Sequence, residues 1–210
     1  MGALAAGQGC GGQSRSGKRY PAKPRTSRSP QLSGGAPGGH WGYGRFGTAF
    51  REAIRIDPGV AEWHDNLAKL LASRGNLAGA AWEFEQSIAV GPEFLAGRLD
   101  YAKMLANTNH VPEAEAQVRA VLARDPNLTE AHELLGYLLS AKGDLAGATR
   151  ELQLVIRRNP QAGRPHYELG LALGRMGQHA AAAEQLRAAS MSSDPQARAA
   201  ALEVLRRLGQ

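Results

Sequence analysis

The sequence predicts an all-α fold: a row of helical hairpins, four complete and one half, closed by a single helix. Three observations predict it. One pattern recurs at a fixed step of 34 residues without insertion or deletion, as Pro58, Pro92, Pro126 and Pro160 show. Small and large apolar residues keep separate places within that step. The small series are Ala68, Ala102, Gly136, Gly170 and Ala80, Ala114, Ala148, Ala182; the large ones are Leu67, Tyr101, Leu135, Leu169, then Leu71, Leu105, Leu139, Leu173, then Phe84, Val118, Leu152, Leu186. Gly75, Asn109, Gly143 and Gly177 punctuate each unit near its middle. A period of this length marks stacked units, each unable to bury its apolar face alone.

Each series has a physical reason. Small residues are needed where two helices cross closely, because a larger side chain would push the backbones apart. Large apolar residues fill the space between helices, at roughly 1.5–3 kcal/mol for each side chain buried. The Gly/Asn series ends the first helix of each unit through a left-handed turn, which glycine and less readily asparagine adopt. The prolines follow the second helix and stop it.

From the N-terminus, residues 1–40 are Gly, Ser, Pro and Arg with scarcely a large apolar residue. Such a composition cannot offset its ordering entropy, so a disordered tail is expected. It holds Arg15, Lys18, Arg19, Lys23, Arg25 and Arg28 and no acid, which accounts for the whole net charge of +6 and leaves residues 41–210 neutral. The tail is read first as an inert solvated extension, or as a stretch included through a misplaced start. Nonspecific contact with nucleic-acid phosphates is the second reading. Cys10 stands alone and is read as incidental; with no second cysteine, no disulfide framework exists.

Residues 41–58 form a half-repeat. RFGTAFREAIRIDP, at 45–58, matches a second helix, with Phe50, Ala53 and Ile54 in phase. Its first helix would fall at about 27–40, where SRSPQLSGGAPGGH carries no helical pattern. Either Trp41, Tyr43 and Phe46 pack as an improvised cap, or a first helix is missing through truncation or a misplaced start. The second reading is preferred, because a repeat stack normally needs its ends covered.

Residues 59–194 hold four units, 61–94, 95–128, 129–162 and 163–193. The third, TEAHELLGYLLSAKGDLAGATRELQLVIRRNP, is the most regular: two amphipathic helices around Gly143-Asp144, closed by Pro160. The second departs most, with Arg98, Tyr101, Asn109 and Pro112, and is expected to be the softest. Residues 195–210 form a capping helix. Ser193-Asp194-Pro195 offers an N-cap oxygen followed by proline in the first turn, and Leu202, Leu205 and Leu208 are placed on the side facing the last repeat.

Chemistry-bearing patterns are scarce. His64, His132 and His166 share one repeat position on different helices, with no carboxylate or cysteine at metal-ligand spacing, and are read as structural. No Gly-rich phosphate loop and no nucleophile-base signature occurs, so neither catalysis nor a cofactor or metal is expected. No apolar run approaches the roughly 18 residues of a membrane span, and the N-terminus lacks a secretory signal core, so a cytoplasmic location is expected. Lys142, near a turn, is expected to be almost silent when replaced.

These residues resemble the tetratricopeptide repeat, a helix-turn-helix unit of this length, over about residues 43–208. The resemblance implies an α-α superhelix whose first helices line a concave groove holding an extended peptide or a partner helix. At the matching positions the groove would show Asp65, Lys69, Leu99, Lys103, Asn107, Glu133, Tyr137, Arg164, Tyr167 and Arg175. Lys69 and Lys103 echo the basic clamp by which some members of the family hold a C-terminal carboxylate, but Asp65 and Glu133 oppose such a field. Tyr137 and Tyr167 are candidate anchors. The expected function is a protein-protein interaction scaffold with protein or peptide partners and no membrane contact. The alternatives are a nucleic-acid-associated protein acting through the tail, and the regulatory part of a longer enzyme or electron-transfer protein.

Overall fold

A computed structural model describes residues 41–209. The basic tail with Cys10, and the side chains of Trp41 and Tyr43, lie outside the described residues. Those described form ten helices and no strand: α1 Trp41–Ile56, α2 Ala61–Ser73, α3 Leu77–Val90, α4 Leu95–Asn107, α5 Val111–Arg124, α6 Thr129–Lys142, α7 Leu145–Arg158, α8 Gly163–Arg175, α9 His179–Ser190 and α10 Pro195–Arg207. Pairs α2/α3, α4/α5, α6/α7 and α8/α9 are the four full hairpins. Helix α1 is the half-repeat and α10 the closing helix.

The turns follow from the residues that occupy them. Gly75, Gly143 and Gly177 have φ of 78°, 90° and 76°, and Asn109 has φ 63°. Directly after Gly75 and Gly143, the side chains of Asn76 and Asp144 accept from the amides of Gly79 (3.0 Å) and Gly147 (2.8 Å), capping α3 and α7. Asp194 caps α10 in the same way, accepting from Gln196 N at 2.9 Å and Ala197 N at 3.2 Å, with Pro195 in the first turn.

Packing explains the apolar series. Ala68, Ala80, Ala102, Ala114, Val118, Ala148 and Leu152 are wholly buried. A β-carbon added to Gly136 would lie 2.8 Å from Leu152 Cγ, and one on Gly170 would lie 2.8 Å from Leu186 Cγ. Glycine is required there by the approach of the opposite helix. In the second hairpin, buried Tyr101 stacks on Phe84 with ring centroids 5.3 Å apart, and Arg98 donates to Gln117 Oε1 at 2.9 Å. Pro112 sits in the first turn of α5.

Within residues 41–209 the hairpins form a curved row. The first helices α2, α4, α6, α8 and the closing α10 touch one another in sequence, whereas the second helices make no such contacts with each other. Contact along one row only places the first helices on the inner face of an α-α superhelix of the solenoid kind.

Both ends differ in detail from expectation. In α1, Phe50 is buried and Ile54 packs against the cluster of Leu67, Leu70, Leu71 and Ala80, while Phe46 is exposed. In α10 the buried face is Ala197, Ala201 and Leu205. Leu202 and Leu208 are half exposed, so only one of the three leucines expected to close the stack does so. Residues four apart share a helix face, and the 197/201/205 row is the one directed at α8 and α9.

Candidate functional site

The inner row carries a chain of ion pairs. Asp65 Oδ2 lies 2.6 Å from Lys69 Nζ, which lies 3.1 Å from Asp100 Oδ2. Asp100 Oδ1 is 3.0 Å from Lys103 Nζ, which reaches Glu130 Oε1 at 2.6 Å. The chain crosses α2, α4 and α6 and ties three consecutive hairpins. It also satisfies both lysines, three carboxylates against two ammonium groups, which leaves neither lysine uncommitted for an incoming carboxylate.

Beyond this chain a cavity of 280 Å³ opens between α4, α6 and α8. Five of the residues expected in the groove meet there: Lys103, Asn107, Glu133, Tyr137 and Arg164. Tyr137 is 38% exposed, and Leu134 and Ala106 supply apolar wall. Arg164 Nε stands 3.8 Å from Glu133 Oε1, an ion-pair distance too long for a hydrogen bond. Burial pushes the Glu133 carboxyl above its ordinary value; Arg164 opposes this, and Glu130 and Asp194 add to it. Burial pushes Glu168 up as well, again against the pull of Arg164. A neighbouring, more open hollow of 360 Å³ is walled by Lys69, Asp100, Met104 and Asn107.

Other residues expected in the groove are placed elsewhere. Asp65 is 2% exposed: its carboxyl is pushed up by burial although Lys69 pulls it down, and its Oδ1 has no hydrogen-bond partner. Leu99 is buried in the core. Tyr167 is partly buried against the cluster of Ala183, Leu186, Ala201 and Leu205 beneath α10. Arg175 donates to the Ser140 carbonyl at 2.7 Å, satisfying an orphan acceptor at the end of α6.

Sequence reading passed over Glu130 and Glu168. The second was accessible, since stepping by 34 from Asp100 passes Leu134 and reaches Glu168. It also passed over a repeated polar clamp. His64, His132 and His166 each hold the carbonyl of the proline preceding their helix: Nε2 to Pro58 O is 3.3 Å, to Pro126 O 2.9 Å and to Pro160 O 3.1 Å. Nδ1 of the same rings lies 2.7 Å from Glu83, Glu151 and Gln185, respectively. The histidines are thus structural, as read, but through hydrogen bonds to the second helix rather than by apolar packing.

Lys142, expected to be almost silent when replaced, has an ion-pair partner. Lys142 Nζ lies 2.6 Å from Oε2 of Glu115, which is largely buried and also pairs with Arg119 at 2.8 Å. The Lys142 hydrogen bond holds the Glu115 carboxyl below its ordinary value. This lysine joins α6 to α5 of the preceding hairpin.

Among the described residues no helix is long and apolar enough to cross a membrane. No curated protein sequence matches the chain. Residues 99–163 match the family model described as tetratricopeptide repeat. Among solved structures, the chain is similar to MamA from Desulfovibrio magneticus RS-1, with 20% identity, a TM-score of 0.65, and coverage of 70% of this chain and 83% of that one. It is similar to another MamA structure at 17% identity and TM-score 0.63, covering 70% of this chain and 87% of that one. It is also similar to YrrB, described as a TPR protein with an unusual peptide-binding site, at 19% identity and TM-score 0.61, covering 70% and 76%. These likenesses concern the fold. With the 34-residue step, its left-handed turns and the nested small residues in agreement, residues 41–209 have the tetratricopeptide-repeat fold, and residues 99–163 match that family's model.

Proposed function

We propose that the chain is a protein-interaction scaffold, without catalysis of its own, that holds an extended peptide or a partner helix along its inner row of first helices. The observation that carries this reading is the cavity between α4, α6 and α8, where side chains from three consecutive hairpins converge beneath a partly exposed tyrosine. At 280 Å³ it falls just below the roughly 300–1,000 Å³ typical of small-molecule pockets. That size suits a side chain or two of a longer ligand. Aromatic residues in partly enclosed pockets dominate such interfaces, and Tyr137 is the aromatic positioned for it. The similarity to YrrB, whose description includes a peptide-binding site, supports the same reading. Asp65, Lys69 and Lys103 act in it by holding neighbouring hairpins in register; Asn107, Glu133, Tyr137 and Arg164 act by contact. Tyr167 acts from below, by supporting the wall at α8.

The test is a phage-displayed random peptide library panned on the full chain, with each selected peptide measured by fluorescence polarisation against wild type and Tyr137→Ala. The variant should weaken binding by about tenfold or more. Selected peptides that bind both proteins equally well would remove the groove from the reading.

A further inference from the structure

We infer that the cavity between α4, α6 and α8 receives a basic side chain, lysine or arginine, of the bound peptide. The inference rests on the scaffold reading above and adds the chemistry of the ligand. It follows from which charges around the cavity are already satisfied and which are not.

The cations are committed. Lys103 is held between Asp100 and Glu130 at 3.0 and 2.6 Å. Arg164 faces Glu133 and is the one guanidinium on the cavity wall. Two half-buried carboxylates, Glu133 and Glu168, therefore share one loosely placed arginine, 63% exposed, with the committed Lys103 adding only a more distant attraction on Glu133. Both are held partly out of solvent by the same walls. An arriving ammonium or guanidinium gains two carboxylates whose desolvation the fold has already partly imposed, so less new desolvation of the protein offsets the attraction.

The apolar parts of the wall agree. Leu134 and Ala106 offer surface for the methylene stem of a lysine or arginine, and Tyr137 presents an aromatic ring beside the carboxylates. An anionic ligand meets the opposite situation. A carboxylate placed in the cavity would face Glu130, Glu133 and Glu168 with no uncommitted lysine to receive it. The geometry thus turns away from the carboxylate clamp suggested by the pair Lys69 and Lys103.

Arg164 makes the inference testable by sign. It is the resident cation, so its removal should help a basic ligand and harm an acidic one. The peptides selected on the full chain are measured against Glu168→Gln, Glu133→Gln and Arg164→Ala, each with its thermal unfolding recorded to establish that it folds. Expected results are peptides sharing a lysine or arginine, about tenfold loss on replacing that residue by alanine or on Glu168→Gln, tighter binding to Arg164→Ala, and weakening as salt is raised. Peptides that bind without any shared basic residue, or that share an acid or free C-terminus and lose affinity on Arg164→Ala, overturn the inference and leave the scaffold reading in place. Failure to recover any binding peptide overturns both.

Discussion

His132 and Glu151, nineteen residues apart on the two helices of the third hairpin, meet with Nδ1 and Oε2 2.7 Å apart, while the other ring nitrogen of His132 holds Pro126 O at 2.9 Å. One side chain thus pins both the entry to its helix and the helix packed beside it. The arrangement recurs at His64 and His166, with Glu83 and Gln185 as partners. In the second hairpin Arg98 and Gln117 take the corresponding places.

The clamp predicts an order among substitutions at one residue. Glu151→Gln copies the pair at His166 and should lie within about 0.5 kcal/mol of wild type. Glu151→Leu leaves a polar ring without its partner and should cost about 1–2 kcal/mol. Urea unfolding of both variants, repeated in a His132→Leu background, measures the pairwise part. Equal losses for the two substitutions would show that the carboxylate contributes only by packing.

The close approach of Gly136 to Leu152 predicts that even Gly136→Ala destabilises, by about 1–3 kcal/mol, although alanine favours helix. Gly136→Arg and Ala148→Glu should unfold the third hairpin and uncouple its neighbours, since repeats are stabilised largely through adjacent ones. Thermal unfolding followed by circular dichroism decides. Unchanged melting of Gly136→Arg and Ala148→Glu would take these positions out of the helix crossing.

Lys142→Ala should cost about 1 kcal/mol at neutral pH, by leaving the largely buried Glu115 with Arg119 alone. The pH dependence has a definite sign. Because Glu115 is held below its ordinary value of 4.5 in the folded chain, its contribution is complete above that value and is lost as pH falls through the lower folded value. The gap between wild type and Lys142→Ala should therefore close in acid. A gap that persists there would assign the loss to the lysine stem rather than to the ion pair.

Glu168 has the opposite sign. Its folded value is raised by burial, so its charge opposes folding at neutral pH and this opposition disappears as pH falls through the raised value. Glu168→Gln should raise the melting temperature at pH 7 and match wild type in acid. A lower melting temperature at pH 7 would mean that Arg164 already compensates the carboxylate.

Asn109 is the one residue other than glycine with a left-handed backbone among those described. Asn109→Gly should add about 0.5–1 kcal/mol, because glycine enters that region without a β-carbon penalty. The second hairpin is expected to exchange its amide hydrogens fastest of the four, and the substitution should slow exchange in α4 and α5. No change in either would place the weakness of that hairpin elsewhere, at Tyr101 or Arg98.

The sequence alone determined the hairpins, their order and their turns. Each depends on a short segment and its nearest neighbour, and the 34-residue step repeats the same local demand: a left-handed residue between helices, a small residue at the crossing, a proline after the second helix. The polar clamp was equally present in that step, in the series Glu83, Gln117, Glu151 and Gln185, but Glu and Gln at a helix position are equally compatible with a solvated face. The tertiary structure decided what each position on the inner row does. Asp65, Leu99, Glu133 and Tyr167 occupy one register, yet the first two are buried, Glu133 lines a cavity, and Tyr167 leans on the cluster beneath α10. Register sets the direction in which a side chain leaves its helix, but the residues of the adjoining hairpin set what it meets, and those differ from one repeat to the next.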